Sequence, residues 1–127
     1  MKGSLKVGIV AGEHSGDILG ANLLKALKKI TKLEIFGVGG PKMQSQGLQP
    51  LFDFNELNIM GFVEPILSYS KISNHKNNLC KLFIENEIDI FIGVDSPDFN
   101  MQIQKKLKKK SNILTCLLYT SPSPRDR

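Results

Sequence analysis

Three short runs of buried-type residues, Leu5–Val10, Leu33–Val38 and Ile88–Val94, each give way to a loop and then to a helical pattern. Nothing else in the chain limits its fold so tightly. Runs that are apolar on both faces belong in a sheet covered on both sides, and helices placed between strands make that sheet parallel. The expected fold is therefore α/β, a doubly wound parallel sheet of Rossmann-like type.

The helical patterns are equally readable. Ile18, Leu19, Leu23, Leu24, Leu27 and Ile30 recur with the period of an amphipathic helix. Lys28, Lys29 and Lys32 close it, where cations suit the helix dipole. Pro41 fits the first turn of a short helix through Gln46, with Gly47 as its stop. Glu56 to Glu87 is mostly helical in character, interrupted near Gly61 and Pro65. A lysine-rich helix is expected from Phe99 to Lys109, and Asn112-Ile113-Leu114 begins a further strand.

Composition narrows the function classes. The 127 residues, 41% hydrophobic and 23% charged, leave room for one compact domain or part of a larger one. The net charge of +5 comes mostly from two lysine clusters, one after the first helix and one over Lys105–Lys110. Such clusters form a solvated helix face or a patch attracted to anionic lipid or phosphate. No aromatic residues interleave with them, which argues against nucleic acid. Cys80 and Cys116 stand far apart, in no metal-ligand spacing, as in a reducing compartment. No secretory leader pattern and no spanning run is visible, so the expected location is cytoplasmic, peripheral to a membrane at most.

In open parallel sheets, ligands bind outside the carboxyl ends of the strands. Three loops fall there: Gly12–Asp17, Gly37–Met43 and Asp95–Asn100. The first lacks the ending of a Walker A motif and the spacing of a dinucleotide fingerprint. Amides near Ser15 and Gly16 suit a phosphate or a sugar hydroxyl, while Ser15 equally suits an N-cap. Asp17 reads as a first-turn carboxylate that stabilises its own helix dipole. Glu13 has no such local reason and reads as functional; His14 reads as solvated or locally bonded. Asp95 and Asp98 at a strand end suit general-base work, one accepting a hydroxyl proton and the other fixing geometry. Asp98 serves equally as a helix cap, and Asn100 as a partner of a ligand or of the loop. The middle segment carries Leu57, Ile59, Met60, Phe62, Val63, Ile66, Leu67, Tyr69 and Ile72, with Lys71, His75 and Lys76 alongside. It reads either as packing against the sheet or as a surface for acyl chains or a membrane.

Four motifs then resemble one family in order. Ile9-Val10-Ala11-Gly12-Glu13-His14-Ser15-Gly16-Asp17 is similar to the I-V-A-G-E-x-S-G-D opening of lipid-A-disaccharide synthases. Gly37 to Met43 resembles their G-V-G-G-P-K/R-M loop, and Met60-Gly61-Phe62-Val63-Glu64 their M-G-x-V-E turn. Phe91 to Asn100 resembles F-I-G-I-D-A-P-D-F-N. His14 departs from the Pro, Thr or Ala more often found at that place.

The resemblance implies the N-terminal, acceptor-side domain of a two-domain GT-B glycosyltransferase. Its substrates would be UDP-2,3-diacylglucosamine and 2,3-diacylglucosamine 1-phosphate, joined with inversion at the membrane surface, without metal or other cofactor. Carried over by motif, Asp95 is the candidate base, Glu13 an orienting carboxylate and Asp98 a support. Gly12, Ser15, Gly16, Gly39, Gly40, Met60, Gly61, Glu64 and Asn100 are the candidate substrate-binding residues. Two other readings compete: another UDP-sugar GT-B enzyme, and a non-enzymatic nucleotide-binding module. The latter requires a ribose-binding acid after the second strand, where Gly37–Gly40 offers none.

Cys116 to Asp126 resembles the in-frame translation of a transposase-type sequencing adapter. The expected organisation is therefore residues 1–115 as a partial N-terminal domain and residues 116–127 as a non-native tail. Without the donor domain, such a fragment is expected to be inactive alone.

Overall fold

The structure is a computed structural model that describes residues 4–51, 65–95 and 97–118, with side chains described from 74 and from 99 onward in the last two stretches. The elements are β1 (Leu5–Ala11), α1 (His14–Lys28), β2 (Leu33–Val38), α2 (Pro41–Ser45), β3 (Leu48–Pro50), α3 (Pro65–Glu85), β4 (Ile90–Val94), α4 (Pro97–Lys110) and β5 (Leu114–Leu118). All strand pairings are parallel, in the order β3-β2-β1-β4-β5. The expected doubly wound sheet is what forms.

Strand alternation divides the core in two. Val7, Ile9 and Ala11 of β1, with Ile92 and Val94 of β4, meet Ala21 and Leu24 of α1 and Met43 of α2. Val10, Val38 and Phe91 point to the opposite face, against Leu79, Cys80 and Phe83 of α3 and Ile103 and Leu107 of α4. The Phe83 and Phe91 rings lie 5.7 Å apart at 51°, a tilted aromatic pair. The helix after β1 and the helix after β4 therefore cover opposite faces.

Close strand packing depends on glycine at one place. Gly37 has φ +146°, and a Cβ there would stand 1.8 Å from the Ile9 carbonyl oxygen. Any side chain would part β2 from β1, the central pairing of the sheet.

Several boundaries differ from the sequence expectation, for local reasons. β4 begins at Ile90 rather than Ile88 because Ile88 and Asp89 close the end of α3. The N–H of Ile88 donates to the Phe83 carbonyl and that of Glu87 to the Ile84 carbonyl, a Schellman arrangement with Glu87 at φ 55°. Asp89 is held by Lys6: its N–H donates to the Lys6 carbonyl at 2.7 Å, and its carboxylate accepts the Lys6 N–H at 2.9 Å. β3, three residues ending in proline at a sheet edge, was not legible as a strand. Cys116, Leu117 and Leu118 pair with Ile92, Gly93 and Val94, so the strand begun at Leu114 runs into the stretch that resembles an adapter. Their side chains alternate across the sheet, Cys116 and Leu118 against one core and Leu117 against the other.

Candidate functional site

The strand order creates one switch point. From β1 the chain winds outward through β2 to β3, and from β4 it winds the other way to β5. Because α1 and α4 leave on opposite faces, a crevice opens between the carboxyl ends of β1 and β4. Ala11 pairs with Val94, so Gly12-Glu13 and Asp95 are the next residues out on its two lips. Neighbouring strands run about 4.8 Å apart, which brings the two loops within reach of one small ligand.

Each lip has its own construction. Glu13, not Ser15, occupies the N-cap of α1, with an extended backbone (φ −136°, ψ 159°) and no side-chain capping bond. Its carbonyl accepts the Asp17 N–H at 2.9 Å, which starts the helix. The N–H groups of His14, Ser15 and Gly16 precede that first bond and have no acceptor within the helix. Gly16 lets the helix start lie close to the sheet, since a Cβ there would stand 3.3 Å from the Ala11 Cβ and 3.4 Å from Val94 Cγ1. Glu13, His14 and Ser15 are exposed, while Gly12 and Gly16 are buried.

On the opposite lip, Asp95 adopts φ 53°, the left-handed region that side-chain-bearing residues rarely enter. Such outliers gather where function needs a side chain aimed against backbone preference. Ser15 Oγ lies 3.5 Å from Asp95 Oδ2, a long contact across the crevice. Glu13 and Asp95 thus follow the carboxyl ends of two adjacent strands, β1 and β4. An accepting carboxylate, a hydroxyl and helix-start amides are together of a chemistry that suits a ligand rich in hydroxyls.

The other predicted site residues fare differently. Gly39 and Gly40 are buried and serve the fold: Gly40 N–H donates to Asp17, and the Gly39 carbonyl accepts Gln44 Nε2 at 3.0 Å. Asp17 lies in the first turn of α1 as expected, and its carboxylate has a second task. It is 2% exposed, and its carboxylate accepts the backbone N–H groups of Gly40, Lys42 and Met43 at the start of α2. No local signal in the sequence joins Asp17 to a loop 23 residues away. That carboxylate ties the start of α2 to the first turn of α1. Asn100 is fully buried, its amide turned to the loop backbone at Asp95. The backbone of Asp98 lies in the first turn of α4, and its side chain is outside the description. Met60, Gly61 and Glu64 lie outside the described residues.

Among the described residues, no three His, Cys, Asp or Glu side chains stand together as a metal site. Among them too, no helix is long and apolar enough to cross a membrane.

The profile of a family described as lipid-A-disaccharide synthetase matches residues 7–124. The lipid-A-disaccharide synthase of Blochmanniella pennsylvanica is 45% identical over 118 residues, which is 92% of this chain and 30% of that protein. That of Pseudoalteromonas translucida is 48% identical over 120 residues, 94% of this chain and 31% of the relative. That of Francisella philomiragia is 47% identical over 119 residues, 93% and 31% respectively. The chain thus spans just under a third of the length of the curated relatives it matches.

Proposed function

The chain belongs to the lipid-A-disaccharide synthetase family, and from that membership we propose that it forms the acceptor side of a glycosyltransferase. The whole protein would transfer 2,3-diacylglucosamine from UDP to the hydroxyl of 2,3-diacylglucosamine 1-phosphate, with inversion and release of UDP. Asp95 takes the proton of the acceptor hydroxyl as it attacks. Ser15 and the helix-start amides of α1 orient hydroxyl or phosphate oxygens in the same crevice. Glu13 orients the sugar from the rim, and Asp98 supports the Asp95 loop. Groups that steady the leaving diphosphate are left to the remainder of the protein.

The observation that carries this reading is Asp95 at the switch point, held in a left-handed conformation opposite Ser15. A dinucleotide module has less support, because Gly37–Gly40 after β2 carries no acid to bind a ribose. Both proposed substrates carry acyl chains, so the protein would work on the cytoplasmic face of the inner membrane, as a peripheral protein. The exposed lysines late in α4 suit lipid phosphates there.

The test is UDP release by the full-length protein given both acylated sugars. Asp95→Asn should lower kcat by about 10²–10⁴ with little change in acceptor KM. Near-normal turnover would remove Asp95 as the base, and no transfer by the unaltered protein would remove the activity.

A further inference from the structure

Asn100 sits beneath the Asp95 turn with no exposed surface. Its Nδ2 donates to the Asp95 carbonyl at 2.7 Å and stands 3.5 Å from the Val94 carbonyl. Its Oδ1 is buried and, among the described residues, meets no hydrogen-bond partner. An orphaned buried acceptor is destabilising, so asparagine is a poor choice here for stability alone. A leucine of similar shape would fill the space without it. Room for the amide comes from Gly93, where a Cβ would stand 2.7 Å from Asn100 Cβ and 2.8 Å from its Cγ. β4 therefore gives up a side chain, and α4 accepts an unsatisfied oxygen, where the Asn100 amide reaches the Asp95 carbonyl.

We propose that Asn100 is a positioning residue for Asp95. By holding the Asp95 carbonyl, its amide keeps the backbone at φ 53°, and that turn presents the carboxylate to the crevice beside Ser15. Without the bond, Asp95 relaxes toward the negative φ that its Cβ prefers, and the carboxylate swings away from the acceptor hydroxyl. The role deepens, and rests on, the assignment of Asp95 as the base.

The test uses the full-length enzyme with Asn100→Leu, which exchanges the orphaned Oδ1 for a part-buried Asp95 carbonyl left without its donor and so should keep its melting temperature close to that of the parent. Turnover should fall about a hundredfold with acceptor KM little changed, as misplacement of a reacting group by about an ångström does. The same substitution in an Asp95→Asn background should add almost nothing, since the group through which Asn100 acts is already gone. A purely structural role would instead lower the residual turnover by the same factor again, and that result overturns the proposal. Unchanged turnover in a folded Asn100→Leu enzyme, beside an inactive Asp95→Asn enzyme, overturns this proposal and leaves the base assignment standing. Near-normal turnover in Asp95→Asn overturns both. Asn100→Ala is the second variant; if neither it nor Asn100→Leu folds, Asn100 is a core residue and the proposal falls.

Discussion

Asp17 and Gly40 join two loops of the rim: the Asp17 Oδ1 accepts the Gly40 N–H at 2.9 Å, across the space between α1 and α2. The same oxygen accepts Met43 N–H at 2.9 Å, and Oδ2 accepts Lys42 N–H at 3.0 Å. One carboxylate thus satisfies the orphan donors at the start of a five-residue helix, which has no side-chain cap of its own. The turn after β2 is fixed relative to the first turn of α1, and through it to the crevice lip that carries Glu13 and Ser15.

Asp17→Asn should therefore destabilise the chain by about 3 kcal/mol, since a neutral amide offers one acceptor and turns a donor toward backbone N–H groups. Urea unfolding measures this directly. A loss below about 1 kcal/mol would show that water or another side chain serves α2 equally well.

Glu87 offers a change in the opposite direction. It holds the left-handed position of the Schellman turn after α3, a place that glycine fills without strain from a Cβ. The residue is exposed, so little packing is lost on truncation. Glu87→Gly should raise stability by about 1 kcal/mol, seen as a higher melting temperature. A lower melting temperature would mean that the Glu87 side chain makes a contact worth more than its backbone strain.

Cys80 gives a pH dependence. Burial pushes its thiol up from the ordinary value of 9.0, against the smaller opposing pull of the Lys106, Lys110 and Lys76 cations. The folded form then keeps its proton at a pH where the unfolded form loses it. The contribution is fully present below about pH 9 and is lost as pH rises past that value. Unfolding free energy should fall above pH 9 in the parent and fall less steeply in Cys80→Ala. Alkylation should follow exposure, with half-buried Cys116 modified before Cys80. Equal rates at the two cysteines would contradict the packing of α3 on α4.

Much of this was legible in the residues. β2 was readable to its ends, Leu33–Val38, because strand period and turn chemistry are both local. The three ligand-facing loops followed from where the buried runs stop. Ser15 suited an N-cap as well as a ligand contact by residue type, and only the backbone shows that the chain turns into the helix earlier, at Glu13. β3 escaped notice because three residues carry no measurable period.

The alternation of strands and helices, the two apolar faces of the sheet and the acidic loops at its rim are all written in local residue patterns. Each follows from side chains a few positions apart, whose burial or exposure is set by the backbone period. Only the tertiary structure decided that β1 lies beside β4, that Asp17 caps α2, and that Asp95 turns left-handed above Asn100. The first two join groups far apart along the chain, 23 residues for Asp17 and Gly40 and 80 for Ser15 and Asp95. The third joins Asp95 and Asn100 across a turn whose shape is set by the packing of α4 against β4. No local preference reports such pairings; the folded sheet creates them.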